Sequence, residues 1–451
     1  MVALLHIREW LPNYSFEKDF AFDCISGVTV GMMAIPQSIS YASIAGLPAQ
    51  YGLYSDLQIM YPIFGTSKYL VVGPVAVMSL MARVALERID GLQEFSPEWI
   101  KLACFLSLLV SLLQLGLATL GLGTTISRLF PETVISGFAS AAAMIIASTQ
   151  FPGLLGLQKC SSSSDGSCSF PVSVLHVLAN IPNCQISAVL CSAICLVLLF
   201  SFKAKKFGSG IISNFGPLTV VTFSIIYVRL SEYIWGKNSV SLAQVGAIPA
   251  GLPPVQIGSF HIFPSSIDQS SLLQLLLSCV PIALIGFTEA ITIAKTSAKV
   301  CDGDVNSVHE NNEMFALAAC NAFTSWVGGY PVTGSFSRTA INAESGARSA
   351  LSTAIAAVAV VVVLLFFTPY LESLPKPVVA SIVISCVIRL IDFKEFIHLR
   401  HLWQQERNTD FFVFCVVVLT SLATGVENGL LAGVILHKFL RWRYKKNAGV
   451  L

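Results

Sequence analysis

Charged residues are scarce in this sequence. Only 12% of its 451 residues are Asp, Glu, Lys or Arg, against about 25% in an average soluble domain. So few charges cannot cover the surfaces of several soluble domains, and the formal net charge of +2 lacks the basic excess that marks a nucleic-acid partner. Because 54% of the residues are hydrophobic, intrinsic disorder is excluded as well. The remaining class is a polytopic protein of the lipid bilayer.

The sequence also lacks the common motifs of hydrolases and nucleotide-binding enzymes. It contains no HExxH, no P-loop and no G-x-S-x-G at a strand-to-helix turn, and its His residues are scattered singly. We therefore expect no enzymatic activity, no metal centre and no cofactor. The 12 cysteines are too dispersed for a secreted disulfide scaffold. Cys160 and Cys168 flank a polar loop, where they could pair or remain free thiols.

Fourteen apolar segments follow a polar N-terminal stretch. They cover about residues 24–46, 50–66, 74–88, 99–121, 131–151, 172–202 and 215–233 in the first half, and about 271–296, 310–328, 335–347, 349–370, 376–391, 409–424 and 426–442 in the second. This pattern predicts an all-α membrane protein with two repeats of seven transmembrane segments. We place the repeats at residues 24–235 and 270–442, between an N-terminal segment at 1–23, a connecting loop at 236–269 and a basic tail at 443–451.

The Lys and Arg residues indicate the orientation. Loops on the side of the two termini carry far more of them than the loops on the other side. Because positive charge collects on the cytoplasmic side of a membrane protein, we expect both termini in the cytoplasm and the 236–269 loop on the extracellular or luminal side. The expected host is the plasma membrane, with a lysosomal or other endomembrane as the alternative.

The two halves carry irregularities at matching places. Pro36 interrupts the first segment, and Gly73-Pro74 opens the short third one; Glu289 lies in the eighth segment, and Gly334 opens the short tenth one. The residues before these glycines predict a few extended positions and then a short helix, which in the first half starts at Pro74. Paired short or interrupted segments are typical of inverted-repeat transporters. With seven segments in each repeat, the second repeat must be inserted upside down.

Two short helices that begin near the bilayer midplane would form an anion site. Their first N–H groups lack partners, and the helix dipole favours negative charge there. We predict that backbone N–H groups at 75–76 and 335–337 hold the anion. Arg338 adds a full charge, and Glu289 is its expected partner when no substrate is bound, because an intramembrane arginine costs about 2.5–3.5 kcal/mol on insertion scales. The predicted substrate-binding residues are Gln37, Tyr41, Val75, Ala76, Glu289, Ser335, Phe336, Ser337 and Arg338.

Each of these features also has a purely structural explanation. Arg338 could be a structural cation paired with Glu289 or Glu344. Glu289 could be permanently protonated, and Gln37 could satisfy carbonyl groups that a proline kink frees. Tyr41 could serve packing, since it shares a helix face with Gln37, and the glycines could serve close helix packing alone.

Four strings resemble the sulfate permease family, solute carrier family 26. They are GMMAIPQSISYASIAGLPAQYGLY at 31–54, FGTSKYLVVGPVAVMSL at 64–80, GFTEAITIAKTSA at 286–298 and YPVTGSFSRTAINAESGA at 330–347. Within the family they are most similar to the sodium-independent sulfate anion transporters. The resemblance implies a core of segments one to four and eight to eleven and a gate of the others, and a homodimer. It also implies an anion between segments three and ten, at Gln37, Tyr41, Val75, Ser337 and Arg338.

The resemblance implies secondary active transport of a small inorganic anion. The substrate would be sulfate, or else chloride, bicarbonate or oxalate, moved by exchange or by proton symport as the core moves against the gate. Family members that move sulfate often carry an acid at the position of Glu289. A passive chloride channel on the same fold and a nucleobase permease of the same fold class are the alternatives. Family members usually continue into a cytoplasmic STAS domain. This sequence stops at Leu451 without it, as expected for a truncated form, a short isoform or a member that lacks that domain.

Overall fold

The computed structural model of the protein describes residues 5–89, 91–128, 131–158, 170–203, 216–236, 242–246, 248–253, 269–304, 307–388 and 408–447. Within these ranges nearly all regular structure is helical, with two strands of two residues each. Cys160 and Cys168 lie outside the described residues, as do most of the 236–269 loop and the end of the predicted basic tail.

The first half contains eleven α-helices in the part that is described. They are α1 (Ile7–Trp10), α2 (Phe16–Ile44), α3 (Ala49–Ser55), α4 (Tyr61–Phe64), α5 (Ala76–Glu87), α6 (Pro97–Thr119), α7 (Gly123–Ser127), α8 (Glu132–Leu155), α9 (Phe170–Asn180), α10 (Ile186–Lys203) and α11 (Gly216–Trp235), with single 3-10 turns at Leu11–Asn13 and Ile181–Asn183. Strand β1 (Val72–Gly73) precedes α5.

The second half contains eight further α-helices within the described ranges. They are α12 (Gln269–Cys301), α13 (Glu310–Trp326), α14 (Phe336–Glu344), α15 (Leu351–Phe366), α16 (Thr368–Leu371), α17 (Lys376–Val387), α18 (Asn408–Thr424) and α19 (Val426–Asn447). Strand β2 (Thr333–Gly334) precedes α14. Each of the fourteen apolar segments predicted from the sequence contains at least one of these helices.

Length and hydropathy alone identify fewer membrane-crossing helices than the number of segments. Five helices in the described part qualify, namely α2, α6, α8, α11 and α12, and α9 with α10 would form a sixth span that is bent by 118°. Most of the other segments are shorter or broken, and α19, although 22 residues long, is rich in Lys and Arg. The third and tenth segments are the clearest case, because each contains only a short helix that directly follows a strand of two residues.

The helices pack into two bundles. In the core bundle, which comprises α2–α6 and α12–α15, α6 packs on α13, α2 packs on α15, and α12 packs on β2. In the gate bundle, which comprises α8–α11 and α17–α19, α8 packs on α17, α18 and α19. Fewer contacts join the bundles, mainly from α2 to α11 and α17 and from α5 to α8. This division matches the core and gate that the family resemblance implies.

Two glycines fix α2 within the core bundle. A Cβ atom at Gly27 would lie 2.4 Å from the carbonyl oxygen of Ser352, and one at Gly31 would lie 2.7 Å from the Cβ of Ala359. Small residues one turn apart allow two membrane helices to approach this closely. α2 is therefore held tightly against α15.

Two predictions about helix boundaries are wrong. α2 runs without interruption from Phe16 to Ile44, with Pro36 inside it, because helix packing in a membrane protein can accommodate a proline. α5 begins at Ala76 with Val75 as its N-cap, later than the predicted start at Pro74. The reason is the strand pairing of the preceding residues, which keeps the chain extended as far as Val75.

Candidate functional site

The two repeats meet at an antiparallel pair of strands. Val72 pairs with Gly334 and Gly73 with Thr333, and the Ser335 N–H donates to the Val71 carbonyl oxygen at 2.9 Å. Because the strands are antiparallel, α5 and α14 leave the pair in opposite directions and their N-termini face each other across it. The sequence predicted this arrangement of two short helices after extended stretches. It directs unpaired N–H groups and the positive ends of two helix dipoles towards one region.

Arg338 lies in the first turn of α14 and is fully buried, with 0% of its surface exposed. Its Nη1 donates to the Asp56 Oδ1, and its Nη2 donates to the carbonyl oxygen of Pro74. The Nε has no hydrogen-bond partner in the described part of the chain. The guanidinium group therefore bridges the end of α3 and the residues just before α5, the short half-helix of the first repeat.

The expected pairing of Arg338 with Glu289 is wrong. The ion-pair partner of Arg338 is Asp56, which follows the last residue of α3 and is itself 6% exposed. The second oxygen of Asp56, Oδ2, accepts a hydrogen bond from the Ser38 Oγ at 2.9 Å. The sequence did contain a signal for this residue, because a carboxylate inside an otherwise apolar membrane segment requires a partner.

Glycine is required where the ion pair packs against β1. A Cβ atom at Gly73 would lie 2.3 Å from the Asp56 Oδ1 and 2.6 Å from the Arg338 Nη1. Both distances are below any that a real Cβ makes, so a larger residue would displace the pair or the strand. Close approach, rather than a special backbone angle, is the reason for this glycine.

Gln37 and Tyr41 lie one turn apart on α2 and face the gate bundle. The Gln37 Nε2 donates to the Cys386 Sγ on α17 at 3.4 Å, and Tyr41 is buried. The Gln37 Oε1 is buried and has no partner among the described residues. Gln37 therefore contacts the gate bundle rather than carbonyl groups near Pro36. Nothing in the sequence alone pointed to Cys386.

Val75 and Ala76 are both buried at the start of α5. The Val75 carbonyl oxygen accepts a hydrogen bond from the Ser79 Oγ at 2.8 Å. The same Oγ lies 3.0 Å from the Tyr330 hydroxyl, which comes from the segment before β2. This pair of hydrogen bonds ties the first turn of α5 to the second repeat.

The predicted residues at the start of α14 differ in what they can offer a ligand. Ser335 is buried, but its N–H is already bonded to the Val71 carbonyl, so this N–H is not free to hold an anion as predicted. Ser337 is half-buried. Phe336 is 47% exposed and, as an apolar side chain, offers a hydrogen bond to a ligand only through its backbone N–H.

Glu289 lies on α12 beside β2. One turn earlier on that helix, the Gly286 carbonyl oxygen accepts a hydrogen bond from the Thr333 Oγ1 at 2.5 Å. A Cβ atom at Gly334 would lie 3.0 Å from the Cα of Ala290. The Glu289 Oε2 is buried and has no hydrogen-bond partner among the described residues. Glu289 thus adjoins the strand pair without contacting Arg338.

A buried carboxylate on α13 anchors the loop before β1. Glu313 is fully buried and accepts hydrogen bonds from the Thr66 N–H and Oγ1 at 2.6 Å each, the Ser67 N–H at 3.1 Å and the Tyr61 hydroxyl at 3.0 Å. The approach to β1 is therefore fixed by the second repeat before the strands themselves pair. In the described residues no group of three or more His, Cys, Asp and Glu side chains is placed to hold a metal ion.

Two inverted seven-segment repeats, whose half-helices meet at a buried charge, define a membrane-transporter fold with a core and a gate. The sequence profile of the sulfate permease family matches residues 20–417, and the chain belongs to that family.

Named relatives support this assignment. Chloroplastic sulfate transporter 4.1 of Arabidopsis thaliana is 35% identical over 432 residues, which make up 94% of this chain and 58% of the plant protein. The chain thus spans less than two thirds of that relative's length. The sodium-independent sulfate anion transporter of Bos taurus is 31% identical over 469 residues, with 98% of this chain and 73% of the bovine protein covered. The likeness to such transporters is confirmed, although the plant protein is at least as similar. These relatives are transporters, as expected for a protein that is not an enzyme.

Solved structures confirm the fold. The murine solute carrier 26 family member A9 anion transporter in its inward-facing state gives a TM-score of 0.83 at 22% identity, over 98% of this chain and 71% of that one. The transmembrane domain of the cyanobacterial bicarbonate transporter BicA gives 0.73 at 20% identity, over 92% of this chain and 98% of that domain. The all-α fold of two seven-segment repeats is therefore established.

Proposed function

We propose that the protein is a secondary active transporter of a small inorganic anion, with sulfate as the main substrate. The observation that carries the proposal is the β1–β2 pair, which holds two helix N-termini face to face beside the buried Arg338. Sulfate is favoured because the plant and bovine relatives are named as sulfate transporters. Chloride, oxalate and bicarbonate, the last named for BicA, are candidate exchange partners.

The proposed binding mode uses the backbone more than the side chains. The first N–H groups of α5 and α14, at Ala76, Phe336 and Ser337, would hold the anion, because two helix dipoles favour negative charge between them. Arg338 would add a charge that Asp56 partly compensates. The core bundle would then carry the anion past the gate bundle, which requires the contact between Gln37 and Cys386 to break.

Uptake of radiolabelled sulfate into proteoliposomes tests this proposal. We expect saturable uptake that unlabelled sulfate inhibits and that chloride or oxalate inside the vesicles accelerates. Folded protein that moves no anion would contradict transport. Chloride currents far above the turnover of a carrier would instead identify a channel, and competition of sulfate uptake by uracil would identify a nucleobase permease.

Glu289 is the proposed site of proton coupling. A carboxylate beside the strand pair repels a dianion when it is ionised and does not when it is protonated. We therefore expect sulfate uptake to increase as the pH falls, and Glu289→Gln to remove this dependence. Uptake across a pH series in both proteins is the measurement. A Glu289→Gln protein with the pH profile of the parent would exclude the coupling role.

The assembly and the orientation are also proposals. We propose a homodimer with both termini in the cytoplasm, repeats at 24–235 and 270–442, and a location in the plasma membrane or an endomembrane. Light scattering of the purified protein reports the oligomeric state. Protease protection of terminal epitope tags in sealed vesicles reports the side on which each terminus lies.

A further inference from the structure

The Arg338–Asp56 pair is fixed at both ends. Arg338 bonds to Asp56 and to the Pro74 carbonyl oxygen, and Asp56 is held from the other side by the Ser38 hydroxyl at 2.9 Å. Both charged side chains are at least nine-tenths buried. A pair with this much support and so little exposure does not exchange partners with bulk water, so its two charges act together on anything bound nearby.

The pair lies next to the proposed anion position. A Cβ at Gly73 would touch both charged groups, and only Pro74 and Val75 separate Gly73 from the first turn of α5. Three residues span at most about 10 Å. At that distance, and with an effective dielectric constant of about 20, one unit charge changes the affinity of a monovalent anion by roughly tenfold.

Both members of the pair belong to the core bundle. Asp56 follows α3 and Arg338 lies on α14, and their ion pair packs against Gly73 of β1. If the core moves as one body, the carboxylate travels with the binding site. Asp56 would then oppose the attraction of Arg338 for an anion in every state of the cycle, which a residue of the gate bundle could not do.

We propose that Asp56 is a specificity-determining residue, a permanent counter-ion that lowers the affinity of the site for anions, and for dianions most. This inference rests on the proposed function of the same site. The physical basis is that Coulomb repulsion grows with the charge of the ligand. Asp56 would thereby prevent a site made of two helix N-termini and an arginine from holding sulfate too tightly to release it.

The test is Asp56→Asn, which removes the charge but retains groups that can bond to Arg338 and Ser38. We expect chloride affinity to rise about tenfold and sulfate affinity about a hundredfold, so that the sulfate-to-chloride affinity ratio rises about tenfold. In proteoliposomes both KM and kcat for sulfate should fall, because release becomes slower. Equilibrium binding of radiolabelled sulfate, with chloride as competitor, measures the ratio in detergent.

Asp23→Asn is the matched control. Asp23 is also a buried carboxylate of the core bundle, and it accepts hydrogen bonds from the Arg348 N–H at 2.7 Å and the Ser349 Oγ at 2.7 Å. It lies 14 residues before Gln37 on α2, about 20 Å away along the helix. We expect its replacement to leave the sulfate-to-chloride ratio within twofold of the parent value.

The outcomes separate this inference from the proposed function. If the parent protein binds neither anion, the proposed function fails. If the parent binds both and Asp56→Asn leaves their ratio within twofold, the specificity role of Asp56 is wrong and its role is structural. Should Asp56→Asn not fold, Asp56→Ser, which is smaller and also uncharged, must give the same shift in the ratio.

Discussion

The N-termini of the two half-helices, α5 and α14, carry different chemical groups that an anion could contact. At the start of α5, Val75 and Ala76 can contribute only their backbone, whereas the first turn of α14 carries the hydroxyl of Ser337 and the charge of Arg338. The counter-ion of that charge, Asp56, comes from the first repeat. The comparison teaches that the backbone of the site is symmetric while its charge is not. One repeat supplies the cation, and the other supplies the carboxylate that pairs with it.

The largest expected effect follows from removing the charge on the α14 side. Arg338→Gln should lower sulfate uptake by about a hundredfold or more. It also leaves Asp56 as an unpaired buried charge, which costs about 3–5 kcal/mol of stability. Uptake into proteoliposomes measures the loss of transport, and chemical denaturation in detergent measures the loss of stability.

A double variant separates these two consequences. Arg338→Gln combined with Asp56→Asn should recover much of the lost stability and none of the lost uptake. Recovery of uptake in the double variant would mean that Arg338 serves only to neutralise Asp56. The asymmetry between the half-helices would then be structural.

Replacing the glycine of β1 or of β2 by alanine adds the same methyl group to either strand and so compares the two repeats by one kind of change. Gly73→Ala should lower uptake by about tenfold or more, because its Cβ would collide with the ion pair. Gly334→Ala should have a smaller effect, since the Leu70 Cδ1 at 2.8 Å is the end of a flexible side chain and the Cα of Ala290, the next neighbour, is 3.0 Å away. The reverse order would show that the strand pair tolerates less change on the second-repeat side.

Gly116→Ala provides the matched control for both glycine variants. Gly116 lies inside α6, and among the described residues a Cβ there would have no atom within 4 Å apart from its own helix backbone and chain neighbours. Alanine is also the better helix former, by about 1 kcal/mol. Uptake by this variant should equal that of the parent, and its stability should be equal or slightly higher.

The smallest effect is expected where α5 is tied to the second repeat by a hydroxyl. Ser79→Ala removes the contact with the Tyr330 hydroxyl at 3.0 Å, and a single hydrogen bond contributes about 1 kcal/mol. Uptake should fall by less than about fivefold. Tyr330→Phe should have a similar effect, and the double variant should be no worse than the more affected single variant. Fully additive losses would show that the two hydroxyl groups act independently.

Sequence patterns were sufficient for the architecture around the site. Extended residues followed by glycine and a short apolar or polar helix predicted both half-helices, because these are local signals repeated in each half. The apolar segments predicted the two seven-segment repeats, whereas the division into core and gate was implied by the family resemblance alone. Local signals failed at Pro36, where the surrounding helices decide whether a proline interrupts a helix.

The partners of buried charges could not be predicted from the same signals. Glu289 and Asp56 are both isolated acids in apolar segments, and only a contact between residues 282 positions apart makes Asp56 the partner of Arg338. Glu313 and Cys386 were missed for a similar reason. Each acts through a contact with a distant part of the chain, and no periodicity in its own segment marks it.

The pairing of β1 from the first repeat with β2 from the second has a consequence for biosynthesis. Pro74 and Arg338, which bond directly, are 264 positions apart. At about 5–20 residues per second, the ribosome adds the later residue roughly 13 to 50 seconds after the earlier one. Throughout that interval the nascent first repeat carries an unpaired strand and an unneutralised Asp56 into the bilayer. The ion pair must therefore close late, after the tenth segment has been inserted, and quality control in the cell can act on the incomplete protein until then.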